Sequence, residues 1–290
     1  MYEISDSIKV DTGDSFACSL SKQGFVSCWG KNDIGQIGDG IIDSTDRIFP
    51  SYVAVVRNVI DIGVGERHAC ALVNSGEVYC WGSDQFGQLG DVTRPTSNLV
   101  QKDLFSRIPV LVPIPEKIKS IAAGSNHTCG IAISGVVYCW GMNTVGQLGI
   151  GLQNFYVSPP KIVPTLQDVT NLETQYDSNC AYSSTGFYCW GSGMNKQLGE
   201  TESVNRYLPR LMSGSYTLTS SDSKTVTTYS YATSLVHVTF GPNGGCGIDG
   251  KSGFKYLVCW GTNTGYEPTG VAATDVVLGN NHGCLITVTN

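Results

Sequence analysis

The stretch His68-Ala69-Cys70-Ala71-Leu72-Val73-Asn74-Ser75-Gly76-Glu77-Val78-Tyr79-Cys80-Trp81-Gly82 holds the fold in miniature. Two runs of β-formers flank Asn-Ser-Gly, a turn-forming triplet, so the segment reads as a β-hairpin. Cys70 and Cys80 lie five residues either side of Ser75, which sets them opposite each other on the two strands. Opposed residues of an antiparallel pair stand about 4.5–5.5 Å apart at Cα, within disulfide range. The same mirror symmetry holds for Cys18 and Cys28 about Gln23, and for Cys129 and Cys139 about Ser134. Cys180 and Cys189 are closer by one residue and Cys246 and Cys259 wider by three, so those turns must differ.

Disulfides are the favoured reading of the five pairs, with buried free thiols and zinc as the alternatives. Each hairpin brings only two thiolates, whereas a structural zinc site takes four ligands. No metal or cofactor is therefore expected. Disulfides persist in oxidising compartments, which places the protein outside the cell, at a cell surface or in a virion-like setting. The start Met1-Tyr2-Glu3-Ile4-Ser5-Asp6 lacks the basic and apolar regions of a signal peptide. The expectation is that an export signal has already been removed.

Further out, Cys-Trp-Gly recurs at 28–30, 80–82, 139–141, 189–191 and 259–261, and uses every tryptophan in the chain. A phrase repeated at such intervals builds one supersecondary unit at a time. Each unit reads as four short strands: an apolar first, a second with the leading cysteine, a third ending in Cys-Trp-Gly, and a proline-marked fourth. Proline is tolerated at a sheet's outer edge. Between the third and fourth comes a glycine turn: Gly35-Gln36-Ile37-Gly38, Gly87-Gln88-Leu89-Gly90, Gly146-Gln147-Leu148-Gly149 and Lys196-Gln197-Leu198-Gly199. Four antiparallel strands per repeat, set radially, make a β-propeller blade. The expected fold is all-β, one propeller domain over residues 1–290. Its blades fall at about 7–56, 57–113, 117–163, 168–212 and 234–270, with a half blade at 274–290 and an insertion at 213–233.

The run Gly-x-x-His-x-Cys-x-Leu, a turn, then Tyr-Cys-Trp-Gly-x-Asn/Asp-x-x-Gly-Gln-Leu-Gly resembles the regulator-of-chromosome-condensation repeat. Gly65–Gly90 matches it nearly throughout and Gly124–Gly149 almost as well. The first repeat has Ser15 or Phe16 in place of the histidine, and the fourth and fifth are degenerate. The resemblance implies a propeller, commonly of seven blades, and the cysteine pairs suggest an extracellular branch of the family. After five copies the chain carries half of a sixth, ending in a second strand with Cys284. That cysteine has no hairpin mate, so it is expected to be unpaired or intermolecular. A bare sheet edge is avoided in natural proteins, and the expectation is a fragment of a longer chain or a ring completed by another subunit.

The net charge of −6 and pI near 5.2 exclude a general affinity for nucleic acid, which needs a basic footprint. No apolar run approaches the roughly 18 residues of a membrane span, so membrane insertion is not expected. Nothing resembles a nucleophile elbow, a P-loop or a His-x-x-x-His motif. His68, His127 and His282 share one repeat slot and read as hydrogen-bonded scaffold residues, while His237 reads as packing. Asp39, Asp91 and Glu200, after the glycine turn, read as turn caps. Asn126-His127-Thr128 is a glycosylation sequon, making Asn126 a candidate acceptor.

The variable segments hold the candidate binding loops. Four separate the third strand from the fourth and should gather on one face and rim. They carry Arg47, Phe49, Arg94, Phe105, Arg107, Phe155, Tyr156 and Tyr207. The insertion at 213–233 carries Tyr216, Tyr229 and Tyr231. Aromatic residues and arginine on polar loops suit recognition, and rim padding is the bland alternative. The leading expectation is a non-enzymatic propeller that binds another protein or a glycan. A structural subunit of an appendage, coat or virion is the second reading. Guanine-nucleotide exchange or another regulatory scaffold, as the resemblance implies, is the third.

Overall fold

The computed structural model describes residues 6–41, 43–91, 104–200, 202–212, 215–219, 226–230, 235–250, 257–262, 273–278 and 283–287. Among them the secondary structure is β throughout, with no helix. The first sheet runs β1 (Ser7–Thr12), β2 (Phe16–Ser21), β3 (Val26–Gly30), β4 (Arg47–Tyr52), antiparallel and in chain order. The second is β5 (Val59–Val64), β6 (His68–Val73), β7 (Val78–Ser83), β8 (Phe105–Leu111). The third is β9 (Ile118–Ala123), β10 (His127–Ala132), β11 (Val137–Met142), β12 (Tyr156–Ile162). The fourth is β13 (Asn171–Gln175), β14 (Ser178–Ser183), β15 (Gly186–Gly191), β16 (Arg206–Leu211).

A separate hairpin follows, β17 (Ser215–Thr219) with β18 (Val226–Ser230), pairing Tyr216 with Tyr229. The insertion is thus a two-stranded sheet rather than a loop, because Thr, Tyr and Val favour extended backbone. The fifth sheet shows β19 (Leu235–Gly241), β20 (Gly244–Asp249) and β21 (Leu257–Gly261), and its expected fourth strand falls outside the described residues. The partial blade is β22 (Ala273–Leu278) with β23 (Gly283–Thr287). Cys284 lies on β23 opposite Val277.

Each cysteine pair sits in direct register, and all five are disulfides: Cys18–Cys28, Cys70–Cys80, Cys129–Cys139, Cys180–Cys189 and Cys246–Cys259. The turns adapt as the spacing demands. Ser183 pairs with Gly186 across a tighter turn in the fourth blade than the Leu72–Val78 pairing leaves in the second. In blades one to four the fourth strand is the outer edge. Its register slips opposite the tryptophan, where Ser51 pairs with Cys28 but Arg47 with Gly30. The bulge holds Pro50, and an edge bulge is where a residue without an N–H is harmless.

First strands contact one another in succession, β1 to β5, β9, β13, β19 and β22, so they surround a common axis. The apolar cores lie between blades, not within them. The Cys18–Cys28 side of blade one meets Ile62, Ala71 and Trp81 of blade two. Cys70 and Cys80 share a core with Ile121, Tyr138 and Trp140, and Cys129 and Cys139 with Leu172, Ala181 and Trp190. Cys180 and Cys189 meet Val238, Val258 and Trp260. The four joints between the first five blades therefore set the disulfide side of one blade against the tryptophan side of the next, and Cys246 and Cys259 meet Val276 and Leu278 of the partial blade.

Candidate functional site: the blade joints, the loop face and the axis

The Cys-Trp-Gly phrase is explained by the joint. Trp81 Nε1 donates to the carbonyl of Gln36 at 3.0 Å, Trp140 to Gln88 at 2.8 Å, Trp190 to Gln147 at 3.0 Å and Trp260 to Gln197 at 2.9 Å. The indoles of Trp81, Trp140 and Trp190 lie on the last glycine of the preceding turn, Gly38, Gly90 and Gly149. A Cβ at Gly38 would stand 2.7 Å from the Trp81 ring. The glycine after each tryptophan is left-handed, with φ of 90° at Gly82 and 107° at Gly141. A Cβ there would meet the carbonyl of Arg67 or Asn126 at 2.6 Å, so only glycine fits.

The histidine slot forms a second link. His68 Nε2 lies 2.8 Å from Thr128 Oγ1 and His127 Nε2 2.7 Å from Asn179 Oδ1, both across a joint. Asn179 Nδ2 donates to Gln147 O at 2.8 Å. That leaves its oxygen as the acceptor, so His127 carries the proton on Nε2. Both rings are fully buried and Nδ1 of each has no partner. Burial, with His127 nearby, pushes the His68 pKa down to about 3, and burial also lowers that of His127. The rings are neutral struts. In the first blade Phe16 fills the slot, opposite Gly30 as His68 is opposite Gly82. The position receiving it is Ala69, where later blades have Thr128 and Asn179. His282 lies outside the described residues.

Several candidate loop residues prove to be strand residues bound into the scaffold. Arg47, on β4, donates from Nε to Asp39 Oδ2 at 2.6 Å and from Nη1 to Asp43 Oδ1 at 3.0 Å, and its side chain is 14% exposed. Asp39 also caps its turn, accepting from Ile41 N at 3.1 Å. Arg206 meets Glu200 in the same way in blade four. In blade three the equivalent positions hold Ile150 and Val157, which pack in one apolar core. Arg107 on β8 and Tyr156 and Tyr207 at the start of β12 and β16 lie over Gly35, Gly87 and Gly146 of the preceding blade's turn. Arg107 also stacks on Phe105 at 4.6 Å, and Phe155 packs on Phe86 at 5.8 Å. Phe49 is exposed on β4. Arg94 and Tyr231 lie outside the described residues. For Arg107, Tyr156 and Tyr207 the physical reason is shared: the fourth strand begins earlier than proline marks it, and its first residues cover the neighbouring glycine turn.

A test follows from the charged and apolar versions of one site. Asp39→Ile alone takes the buried carboxylate from the largely buried Arg47, leaving it only Asp43 among its carboxylate partners, and is expected to cost about 2 kcal/mol. Asp39→Ile with Arg47→Val copies blade three and is expected to restore most of that loss. Thermal melting of the three proteins checks it, and an additive double variant would refute the equivalence.

Asn126 is held from both sides, donating to Glu66 Oε2 at 3.2 Å and accepting from Gln88 Nε2 at 3.2 Å. Thr128 of the sequon is fully buried. At the axis lies a polar network that sequence reading missed. Lys9 Nζ binds Asp61 Oδ1 at 2.7 Å, Asp61 Oδ2 accepts from Ile121 N at 3.1 Å, and Asp11 Oδ2 accepts from Val64 N at 2.9 Å. His237 Nε2 is 3.3 Å from Asp275. Burial raises the pKa of Asp11 and of Glu173. The signal was available: Lys9, Asp61, Ser120, Asn171, His237 and Asp275 occupy one register position on successive first strands. Among the described residues no group of three or more His, Cys, Asp or Glu is placed to hold a metal ion.

Comparison with known proteins gives a consistent match. The family model "Regulator of chromosome condensation (RCC1) repeat" matches residues 75–131 and 134–174, and a second model of that repeat matches 59–88 and 118–147. Mouse "Probable E3 ubiquitin-protein ligase HERC4" is 30% identical over 217 residues, 72% of this chain and 20% of that protein. The chain thus spans about a fifth of the length of the ligase relatives it matches. The crystal structure of Prp20p from Saccharomyces cerevisiae, described with its binding to Gsp1p and histones, superposes with a TM-score of 0.63 at 21% identity. It covers 74% of this chain and 52% of that one. The ectodomain of the Physcomitrella patens receptor kinase CR4 gives 0.56 at 19% identity, covering 98% of this chain and 59% of that one.

Proposed function

The chain belongs to the regulator of chromosome condensation repeat family, and from that premise we propose a non-enzymatic interaction propeller that recognises another protein, or a glycan, in an oxidising extracellular setting. One observation carries the reading. The side chains that recur from blade to blade are spent inside the joints: disulfides, tryptophans bonded to glutamine carbonyls, neutral buried histidines. What remains on the surface differs from blade to blade, as a recognition surface requires. The disulfides support the extracellular setting. The receptor-kinase ectodomain shares the fold, which supports that setting only by analogy.

The test is direct. The oxidised protein is screened against a display library of extracellular domains and against a glycan array. Saturable binding that survives salt but not unfolding is expected, and no such binder in either screen would overturn the proposal. The rival is exchange activity, which the family resemblance implies. Release of fluorescent guanine nucleotide from a small GTPase is expected to stay at its intrinsic rate, and acceleration would revive that reading.

A further inference from the structure

The residue just before each second strand ties its blade to the preceding one, and in blade three that residue is Asn126. In blade four it is Asp177, whose Oδ1 accepts from Gln147 Nε2 at 3.0 Å. Asn126 Oδ1 accepts from Gln88 Nε2 in the same way, at 3.2 Å. Gln88 has a fixed orientation, because its Oε1 accepts from Phe86 N at 2.7 Å and its Nε2 is left to donate. The Asn126 amide is thereby oriented too. Its oxygen faces the fully buried Gln88, and its nitrogen points outward to the exposed Glu66, whose Oε2 lies 3.2 Å away. Asp177 makes the same link with no nitrogen at all, so Nδ2 of Asn126 is surplus to the joint.

Asn126-His127-Thr128 is the single Asn-x-Ser/Thr sequence in the chain. Asn126 is half-buried and lies in the connection between β9 and β10, outside both strands. Its outward nitrogen carries two hydrogens. Replacing one with a sugar leaves the other for Glu66 and leaves the oxygen for Gln88, so the joint keeps its bond. Thr128 is placed differently. Its hydroxyl is fully buried, 2.8 Å from His68 Nε2, and the adjacent Cys129 is bonded to Cys139. A sequon is read together with its hydroxyl, so the folded protein hides half of the signal. The stretch from Cys129 to Cys139, a separation of 10 residues, takes about a second to synthesise. Disulfide closure takes seconds or longer, which leaves a short interval in which the sequon is open.

We propose that Asn126 carries an N-linked glycan, attached before the Cys129–Cys139 hairpin and the His68–Thr128 contact close. In the transfer, Nδ2 attacks C1 of an oligosaccharide carried on a lipid diphosphate. The C1–N bond forms, the C1–O bond breaks, the lipid diphosphate leaves, and the Nδ2 proton passes to a base of the transferase. The inference rests on the extracellular reading and adds a modification to it. The chain is expressed behind a secretion signal in a eukaryotic host, and all chains, retained or secreted, are resolved with and without peptide N-glycosidase. Counting all chains keeps the readout independent of folding. A minority of chains is expected to carry the glycan, rising about twofold when a mild thiol reductant slows disulfide closure during synthesis. The glycan is expected to vanish in Asn126→Gln. Chains secreted with five disulfides and bare of sugar under both conditions would overturn the proposal while leaving the extracellular reading intact. Occupancy that the reductant does not change would overturn the order of events, and the proposal with it. Chains that reach the medium with free thiols would overturn both readings.

Discussion

Reduction of the five disulfides is expected to unfold the protein outright at room temperature. Each closes a short loop, with sequence separations of 9 to 13 residues. Loops of this size restrict the unfolded chain by roughly 2–3 kcal/mol apiece. Five together approach or exceed the roughly 5–15 kcal/mol that keeps an ordinary domain folded. The bonds are also floor to the joints, since Cys70 and Cys80 share a core with Trp140 and Cys129 and Cys139 with Trp190. Opening one exposes the seat of the next indole. Circular dichroism and tryptophan emission before and after a thiol reductant check this. Retention of the native spectrum with all thiols alkylated would show that joint packing alone suffices.

Acidification has the second-largest expected effect, and His68 carries it. Its folded pKa is about 3 against an ordinary 6.5. Between those values the unfolded chain binds a proton that the folded protein refuses, so stability falls as pH drops. The contribution is intact above about pH 6.5 and is lost progressively toward pH 3, amounting to about 3 kcal/mol at pH 4. Asp11 and Glu173 work in the opposite sense, because burial raises their pKa values and their contribution is lost as pH rises through the carboxylate range. Comparison of variants therefore isolates the histidine. His68→Phe with Thr128→Ala copies the Phe16–Ala69 joint, and is expected to flatten the denaturation midpoint between pH 6.5 and 4 relative to the parent. A double variant with the parent's acid slope would remove His68 from the explanation.

The fold was legible because its markers repeat. A cysteine pair in mirror register can only be a hairpin, and Cys-Trp-Gly after each pair sets the period. The candidate site was much less legible. Arg47, Arg107, Tyr156 and Tyr207 look like binding residues by type, and the structure uses them as braces and covers. Their role depends on where β4, β8, β12 and β16 begin, and that depends on a bulge opposite each tryptophan which a local pattern does not announce. The axial network escaped for another reason. Asp61 draws on Lys9 and Ile121, 52 and 60 residues away in the chain, and single polar residues in apolar strands look like solvent-facing alternation.

The Phe16–Ala69 contact has a consequence for how such rings can be rearranged. Each blade brings one half of a lock to either neighbour, and the halves are not interchangeable. The first lock is oily, the second joins His68 to Thr128, the third His127 to Asn179. Transplanting blade three ahead of blade two would aim an imidazole N–H at the methyl of Ala69 in a dry crevice, with no acceptor to receive it. The sequence of sectors around the axis is thus encoded in matched chemistry as well as in the order of the chain. A designer shuffling these modules must move both halves of a lock together.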